Sequence, residues 1–238
     1  MLELVARLAV CALAMVLSSC GGSDAASAGS LTSVVAAGDS ITLRTGLCVA
    51  GQALADCTAA QSSTSWAAYL PEATSGTWVV QANLGRGGDT CTAQAPWVGG
   101  VFDGVPRGLL GRLQQVIDSR AQLAILLIGI NDVMLYGVTP GSVASCVAQA
   151  RATLQAAGIQ VLVLTYPPVT AATAVFGLTD ADVRLAALNA ALLAGGAVDT
   201  RAAWPDWAAA IYTSDGVHPM APGAVSLALQ VARAGGAL

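Results

Sequence analysis

Short runs of β-branched and aliphatic residues alternate with longer stretches rich in alanine and leucine from residue 33 to the end of the chain. This alternation predicts strands that alternate with helices, which is the pattern of a parallel sheet covered by helices on both faces. The run Leu123–Ile128 is apolar throughout, as expected of a central strand that is buried on both sides. The sequence therefore predicts an α/β fold.

The predicted elements are five strands and five helices. The strands are Ser33–Ala37, Trp78–Ala82, Leu123–Ile128, Gln160–Thr165 and, with the weakest signal, Ala197–Thr200. The helices lie near residues 63–70, 107–119, 140–157, 180–194 and 221–234. Start signals are Ser62 to Ser65, Thr139 before Pro140, and Thr179 or Asp180, and stop signals are Gly158 and Gly195.

Residues 1–19 have the features of an export signal, because a basic residue precedes a short apolar stretch. The stretch ends in Leu17-Ser18-Ser19-Cys20, which resembles the lipobox of bacterial lipoproteins. This resemblance implies that Cys20 is lipidated, and Gly21 after it favours transport to the outer membrane. We expect an exported protein, periplasmic or at the cell surface, with a flexible tether over residues 20–32 and one domain over residues 33–238. The alternative is an ordinary signal peptide cut near Ala26 or Ala28.

The composition limits the classes of partner. Hydrophobic residues make up 55% of the chain and charged residues 10%, yet no run of about 18 apolar residues occurs, so we expect no transmembrane helix. All 10 basic residues are arginines and the net charge is −4. No basic patch could then neutralise a nucleic-acid backbone. We expect a monomer that meets the membrane only through its lipid anchor.

Four cysteines remain once Cys11 and Cys20 are set aside, an even number in a chain predicted to enter an oxidising compartment. They are Cys48, Cys57, Cys91 and Cys146. Of the three pairings, we favour Cys48 with Cys57, which closes a short loop, and Cys91 with Cys146 by elimination. Buried free thiols are the alternative.

Polar clusters follow three of the predicted strands, and a fourth precedes the last helix. They are Gly38-Asp39-Ser40, Asn83 to Thr90, Gly129-Ile130-Asn131-Asp132 and Asp215-Gly216-Val217-His218-Pro219. Ligands of open α/β sheets bind at the carboxyl ends of the strands, so the first three clusters lie where a site is expected. Each cluster alone could be a turn or a cap. Four together, in a chain poor in polar groups, are costly to explain by capping alone.

These clusters contain the parts that ester hydrolysis by a serine needs: a nucleophile, a base, a carboxylate that orients the base, and donors for the oxyanion. Ser40 is the candidate nucleophile. Histidine is the side chain that titrates near neutral pH, and His218 is the only histidine in the chain. Asp215, three residues earlier, is the candidate orienting carboxylate. A metal site is not expected, because no second histidine and no Cys-x-x-Cys pair could complete one, and no cofactor is implied.

The order and content of the four clusters resemble those of the GDSL/SGNH hydrolase family over nearly the whole mature chain. The resemblance implies a flavodoxin-like three-layer α/β/α sandwich with a five-stranded parallel sheet. It also implies that Ser40 is the nucleophile, that Asp215 and His218 complete the triad, and that Ser40 N–H, Gly88 and Asn131 form the oxyanion hole. Gly85 or Gly87 could replace Gly88 as the donor.

The substrate is predicted less sharply than the chemistry. An insertion over residues 42–64 could cover the site, and apolar residues lie in two of the loops that follow strands. These are Trp97, Val98, Val101, Phe102, Val169, Val175, Phe176 and Leu178. They favour a pocket for short to medium acyl or aryl esters, or they only pack the loops down. The alternatives are a carbohydrate O-deacetylase and a ligand-binding envelope lipoprotein without catalytic activity.

Overall fold

A parallel sheet forms the centre of the fold in the computed structural model, which describes residues 31–43, 65–94, 108–168, 176–201 and 216–238. The described residues contain four strands: β1 (Thr32–Gly38), β2 (Trp78–Gly85), β3 (Leu123–Leu127) and β4 (Gln160–Val163). Their order across the sheet is β2-β1-β3-β4, and every neighbouring pair is parallel. β2 therefore lies on one side of β1, and β3 and β4 lie on the other side.

The burial of the strands follows from this order. Val34 to Ala37 of β1 are fully buried, and so is nearly all of β3, because both strands are central and covered on both faces. β2 is an edge strand, and its exposure alternates at Val79 and Gln81. The uninterrupted apolar run that predicted a central strand is thus the third strand of the chain and lies inside the sheet.

Helices cover the sheet in two groups. They are α1 (Ser40–Leu43), a 3₁₀ helix (Trp66–Tyr69) that continues into α2 (Leu70–Ala73), a second 3₁₀ helix (Leu109–Arg112) that continues into α3 (Leu113–Asp118), α4 (Ile130–Leu135), α5 (Pro140–Ala156), α6 (Ala181–Ala194) and α7 (Ala221–Ala234). α7 packs on α2 and its 3₁₀ turn, whereas α5 packs on α3 and α6. This division is expected of right-handed crossovers that leave β1 in opposite directions, and it gives the three-layer α/β/α arrangement.

The prediction of a fifth strand at Ala197–Thr200 is wrong for the described structure. Only Val198 joins the sheet, through a single parallel bridge with Leu164. The ladder does not continue because Thr200 N–H, two residues after Val198, donates to the side-chain oxygen of Thr165, at 2.9 Å, instead of to a backbone carbonyl. β4 ends at Val163, two residues earlier than predicted.

Cys91 and Cys146 form a disulfide, with 6.0 Å between their Cα atoms. It joins the segment after β2 to α5, and it is the pairing that the sequence favoured. Cys48 and Cys57 lie outside the described residues, as do the predicted export signal, Cys20 and all but the end of the predicted tether. Within the described part of the chain, no helix combines the length and the apolar character needed to cross a bilayer.

Candidate active site

The carboxyl ends of three strands meet at one edge of the sheet. Gly38, the last residue of β1, lies opposite Gly85 of β2 and Leu127 of β3. The segments that start after these residues therefore leave the sheet side by side, where open α/β sheets bind their ligands.

Ser40 and His218 are in hydrogen-bond contact at this edge. Ser40 is the first residue of α1, and His218 lies three residues before α7. The Ser40 Oγ atom is 2.8 Å from His218 Nε2, although 178 positions separate the two residues. That distance is within reach for direct proton transfer between a hydroxyl and an imidazole. Asp215, the candidate partner of His218, lies outside the described residues.

Two glycines allow close approach of the backbone around Ser40: Gly38 lies against the neighbouring strand β3, and Gly85 lies against the helix that begins at Ser40. A Cβ atom on Gly38 would come within 2.2 Å of the Leu127 carbonyl oxygen, and one on Gly85 within 2.3 Å of Leu43 N. Asn83 then holds the helix from the side, since its Nδ2 donates to the Thr42 carbonyl at 3.0 Å. The position of Ser40 is thus set by close contact of backbone with backbone.

Asn131, the second residue of α4, is 4% exposed and lies beside the loop that follows β2. Its Nδ2 donates to the Asp89 carbonyl at 2.8 Å. A side-chain amide carries two N–H donors, so this contact orients the group and uses one of them.

The loop after β2 contains a tight turn. Asp89 N–H donates to Arg86 O at 3.1 Å, and Gly88 has a φ of 66°, which a type II turn requires at its third residue. Gly85 N–H donates to the Asn83 side chain at 2.9 Å, so this bond occupies the Gly85 donor. Gly87 is buried, whereas Gly88 is partly exposed. Of the three glycines, Gly88 is the best placed to meet a ligand.

A buried ion pair between Arg112 and Asp89 holds the same loop in place. The Asp89 side chain is fully buried and accepts a charge-assisted hydrogen bond from Arg112 Nη2. Its other carboxylate oxygen accepts from Gly108 N–H at 3.1 Å, and Arg112 Nη1 donates to Leu84 O at 3.2 Å. The carbonyl that accepts from Asn131 therefore belongs to a residue whose side chain is held by two further contacts.

Asp132 joins α4 to the segment of the disulfide. Its carboxylate accepts from Cys91 N–H at 2.7 Å, from Thr92 N–H at 3.0 Å and from the Thr92 hydroxyl at 2.5 Å. Burial raises the pKa of Asp132, and these donors oppose that rise. Asp132 thus braces the loop that carries Gly88 against the helix that carries Asn131.

A second buried carboxylate lies next to the serine. Asp39 accepts from Ile41 N–H at 2.9 Å, the amide contact that a turn residue makes, and also from the Tyr166 hydroxyl. Burial raises the pKa of Asp39 to about 7, against the opposing effect of these two donors and of His218. No motif in the sequence indicates a role for Tyr166, which lies between the end of β4 and Pro167.

Of the residues predicted from sequence, the structure brings Ser40 into contact with His218, and Asn131 into contact with Asp89, the residue after Gly88. Sequence reasoning missed the supporting groups Arg112 and Tyr166, and it placed Asn83 in a polar cluster without assigning it a role. The described residues hold no group of three histidine, cysteine or acidic side chains that could bind a metal ion. Phe176 and Leu178, two of the apolar loop residues, pack against the core.

A serine hydroxyl that contacts a histidine, at the carboxyl edge of a parallel α/β sheet, is the arrangement typical of serine hydrolases. Residues 36–224 match the GDSL-like Lipase/Acylhydrolase family. The chain therefore belongs to this family.

Several solved structures share this fold. A GDSL-like lipase from Bacteroides thetaiotaomicron has a TM-score of 0.59 and 18% identity, and the match covers 87% of this chain and 89% of that one. An α/β hydrolase enzyme from the metagenome of Lake Arreo, Spain, has a TM-score of 0.62 and 18% identity, with coverages of 88% and 97%. A catalytic mutant of an acetylxylan esterase from Geobacillus stearothermophilus has a TM-score of 0.60 and 17% identity, with coverages of 86% and 94%. No curated protein sequence matches the chain.

Proposed function

We propose that this protein is a carboxylic ester hydrolase that works through an acyl-enzyme on Ser40. The observation that carries the proposal is the 2.8 Å contact between Ser40 Oγ and His218 Nε2. His218 accepts the Ser40 proton while Oγ attacks the ester carbonyl carbon, and the carbonyl oxygen becomes an oxyanion. Collapse of this intermediate expels the alcohol, which takes the proton from His218. Water then attacks the acyl-enzyme, with His218 again as the base, and releases the acid.

The oxyanion is held by three donors in this proposal: Ser40 N–H, Gly88 N–H and the second amide hydrogen of Asn131. The Asn131 contact to Asp89 O supports this role, because it turns the amide without using both hydrogens. Donors fixed before the reaction need no reorganisation when the charge develops. Asp215 is proposed to orient His218 and to stabilise its cationic form.

We propose esters of short to medium acyl or aryl groups as substrates, and deacetylation of carbohydrate as the second candidate. The test measures hydrolysis of a chain-length series of p-nitrophenyl esters and of acetylated xylan. Wild-type protein should cleave the esters, and Ser40→Ala and His218→Ala should bring turnover near the uncatalysed level. Strict preference for acetyl groups on sugar would favour the deacetylase, and no turnover of any ester would favour a ligand-binding protein.

We also propose export and lipid anchoring through Cys20, on the basis of the sequence that precedes it. Metabolic labelling with an alkyne fatty acid tests this proposal. Labelling that Cys20→Ala abolishes would support the anchor, whereas an unlabelled protein of mature length would indicate an ordinary signal peptide.

A further inference from the structure

Tyr166 is fully buried, and its hydroxyl lies between two of the segments that form the site. The hydroxyl donates to Asp39 Oδ2 and accepts from Ile130 N–H at 3.2 Å. Asp39 immediately precedes Ser40, and Ile130 immediately precedes Asn131. One hydroxyl therefore connects the residue before the proposed nucleophile to the residue before the proposed oxyanion donor.

We propose that Tyr166 is a positioning residue that holds the turn of Ser40 and the helix of Asn131 at the spacing that catalysis needs. This inference rests on the proposed function of the site. It assigns no contact with substrate to Tyr166, which acts through Asp39 and Ile130. The reason for an effect on rate is geometric, since a misplacement of about 1 Å can cost about a hundredfold in turnover.

The backbone of Tyr166 is itself fixed on both sides by one side chain. Tyr166 N–H donates to Asn189 Oδ1 at 2.8 Å, and Asn189 Nδ2 donates back to Tyr166 O at 2.9 Å. Asn189 is buried on α6 and is 2% exposed. The phenol therefore projects from an anchored backbone, and a shift of Asp39 or Ile130 would have to break a buried hydrogen bond.

The charges around the hydroxyl determine which group donates. Burial and the neighbouring Asp39 raise the pKa of Tyr166 well above its ordinary range, so the phenol keeps its proton and is the donor. His218 and Asp89 also act on Asp39, with opposite signs, and Asp132 acts on Tyr166. The hydrogen bond from Tyr166 lowers the pKa of Asp39, and it thereby keeps more of the carboxylate ionised near His218 at neutral pH.

The test replaces the hydroxyl by hydrogen in Tyr166→Phe, which preserves the ring. The matched control is Tyr69→Phe, the same chemical change in the 3₁₀ helix before α2. We expect kcat for p-nitrophenyl acetate to fall at least about tenfold in Tyr166→Phe, with KM changed much less, because the loss falls on the arrangement of the reacting groups. Tyr69→Phe should keep wild-type kcat. Thermal unfolding and circular dichroism verify that both variants are folded.

The pH profile separates positioning from a merely structural role. Without the phenol donor the pKa of Asp39 rises above about 7, so the carboxylate near His218 ionises at higher pH. A neutral Asp39 stabilises cationic His218 less than an ionised Asp39 does, so the ascending limb of kcat/KM, along which the base loses its proton, should move to lower pH in Tyr166→Phe. In an Asp39→Asn background no carboxylate titrates at this position. Tyr166→Phe should then leave the ascending limb at the pH that it has in Asp39→Asn alone.

Two results would overturn the inference: wild-type kcat in folded Tyr166→Phe, or a uniform fall at every pH with an unmoved limb. If Tyr166→Phe does not fold, Asp39→Asn alone provides the test. Ile41 N–H donates to Asp39 Oδ1 and the Tyr166 hydroxyl donates to Asp39 Oδ2, so an asparagine in the same position keeps an acceptor for only one of them. Wild-type kcat in that variant would therefore also overturn the inference. Failure of the proposed function is distinct, since the wild-type protein itself would then hydrolyse no ester.

Discussion

Truncation of Asn131 to alanine tests the oxyanion arrangement most sharply. The substitution removes the amide hydrogen bonded to Asp89 O at 2.8 Å and the second hydrogen that we assign to the oxyanion. Loss of one oxyanion donor costs about 3 to 4 kcal/mol of transition-state stabilisation, which corresponds to about a hundredfold to a thousandfold in kcat. The folded protein also loses the buried Asp89 contact, which costs about 1 to 3 kcal/mol of folding free energy because the carbonyl loses its donor.

The two losses appear in different measurements. For Asn131→Ala, kcat for p-nitrophenyl acetate should fall by two to three orders of magnitude, which are about the limits given above. The melting temperature should fall by about 2 to 12 °C, because about 1 to 3 kcal/mol is lost from a domain of this size. Gln114→Ala, which removes an exposed amide that bonds Asp118 on α3, is the control and should change neither quantity appreciably. A folded Asn131→Ala protein with kcat within threefold of wild type, about 0.7 kcal/mol, would refute the assignment.

Two further predictions concern the frame of the site. Gly85→Ala should reduce both stability and kcat, because the added Cβ would lie 2.3 Å from Leu43 N. The control is Gly141→Ala on α5, where an added Cβ meets nothing within 4 Å and should reduce neither quantity. Equal melting temperatures and rates for the two variants would contradict this prediction. Replacement of Cys91 and Cys146 by alanine opens a loop with a sequence separation of 55, so we expect about 4 kcal/mol less stability from loop entropy. Chemical denaturation measures this loss, and an unchanged midpoint would contradict it.

The sequence predicts the long elements well because their signals are local. α5 and α7 occupy Pro140–Ala156 and Ala221–Ala234, against predictions of 140–157 and 221–234. The two central apolar strands, β1 and β3, follow from composition and from the need to bury both faces of a parallel sheet. The predicted fifth strand does not form, because the Thr165 side chain accepts the hydrogen bond from Thr200 N–H that a backbone carbonyl would accept in a ladder.

The short helices could not be predicted in the same way. α1 and α4 have 4 and 6 residues and begin with the polar residues of the site or next to them. A helix of this length is not stable on its own, so neither shows a periodic pattern. They form because tertiary contacts hold them, as at Gly85, where only a glycine lets α1 approach the strand.

The residues of the candidate site also fall into two groups: those that a local motif indicates and those that only the fold brings together. Ser40, His218 and Asn131 stand in short motifs placed after strands or before a helix, so the sequence indicates them. The Tyr166 hydroxyl meets Asp39 across 127 positions, and the Arg112 guanidinium meets Asp89 across 23. Such pairs depend on strand register and on how far each segment extends past the sheet, and neither quantity can be read from local sequence.

Covalent labelling with a fluorophosphonate tests the central claim most directly. The reagent forms a bond to a serine only where a base activates the hydroxyl and donors accommodate the phosphoryl oxygen. Peptide mass mapping of the labelled protein should place a single adduct on Ser40, and Ser40→Ala should remain unlabelled. Folded wild-type protein that takes up no label, or a label that persists in Ser40→Ala, would contradict the account of this protein as a serine hydrolase acting through Ser40.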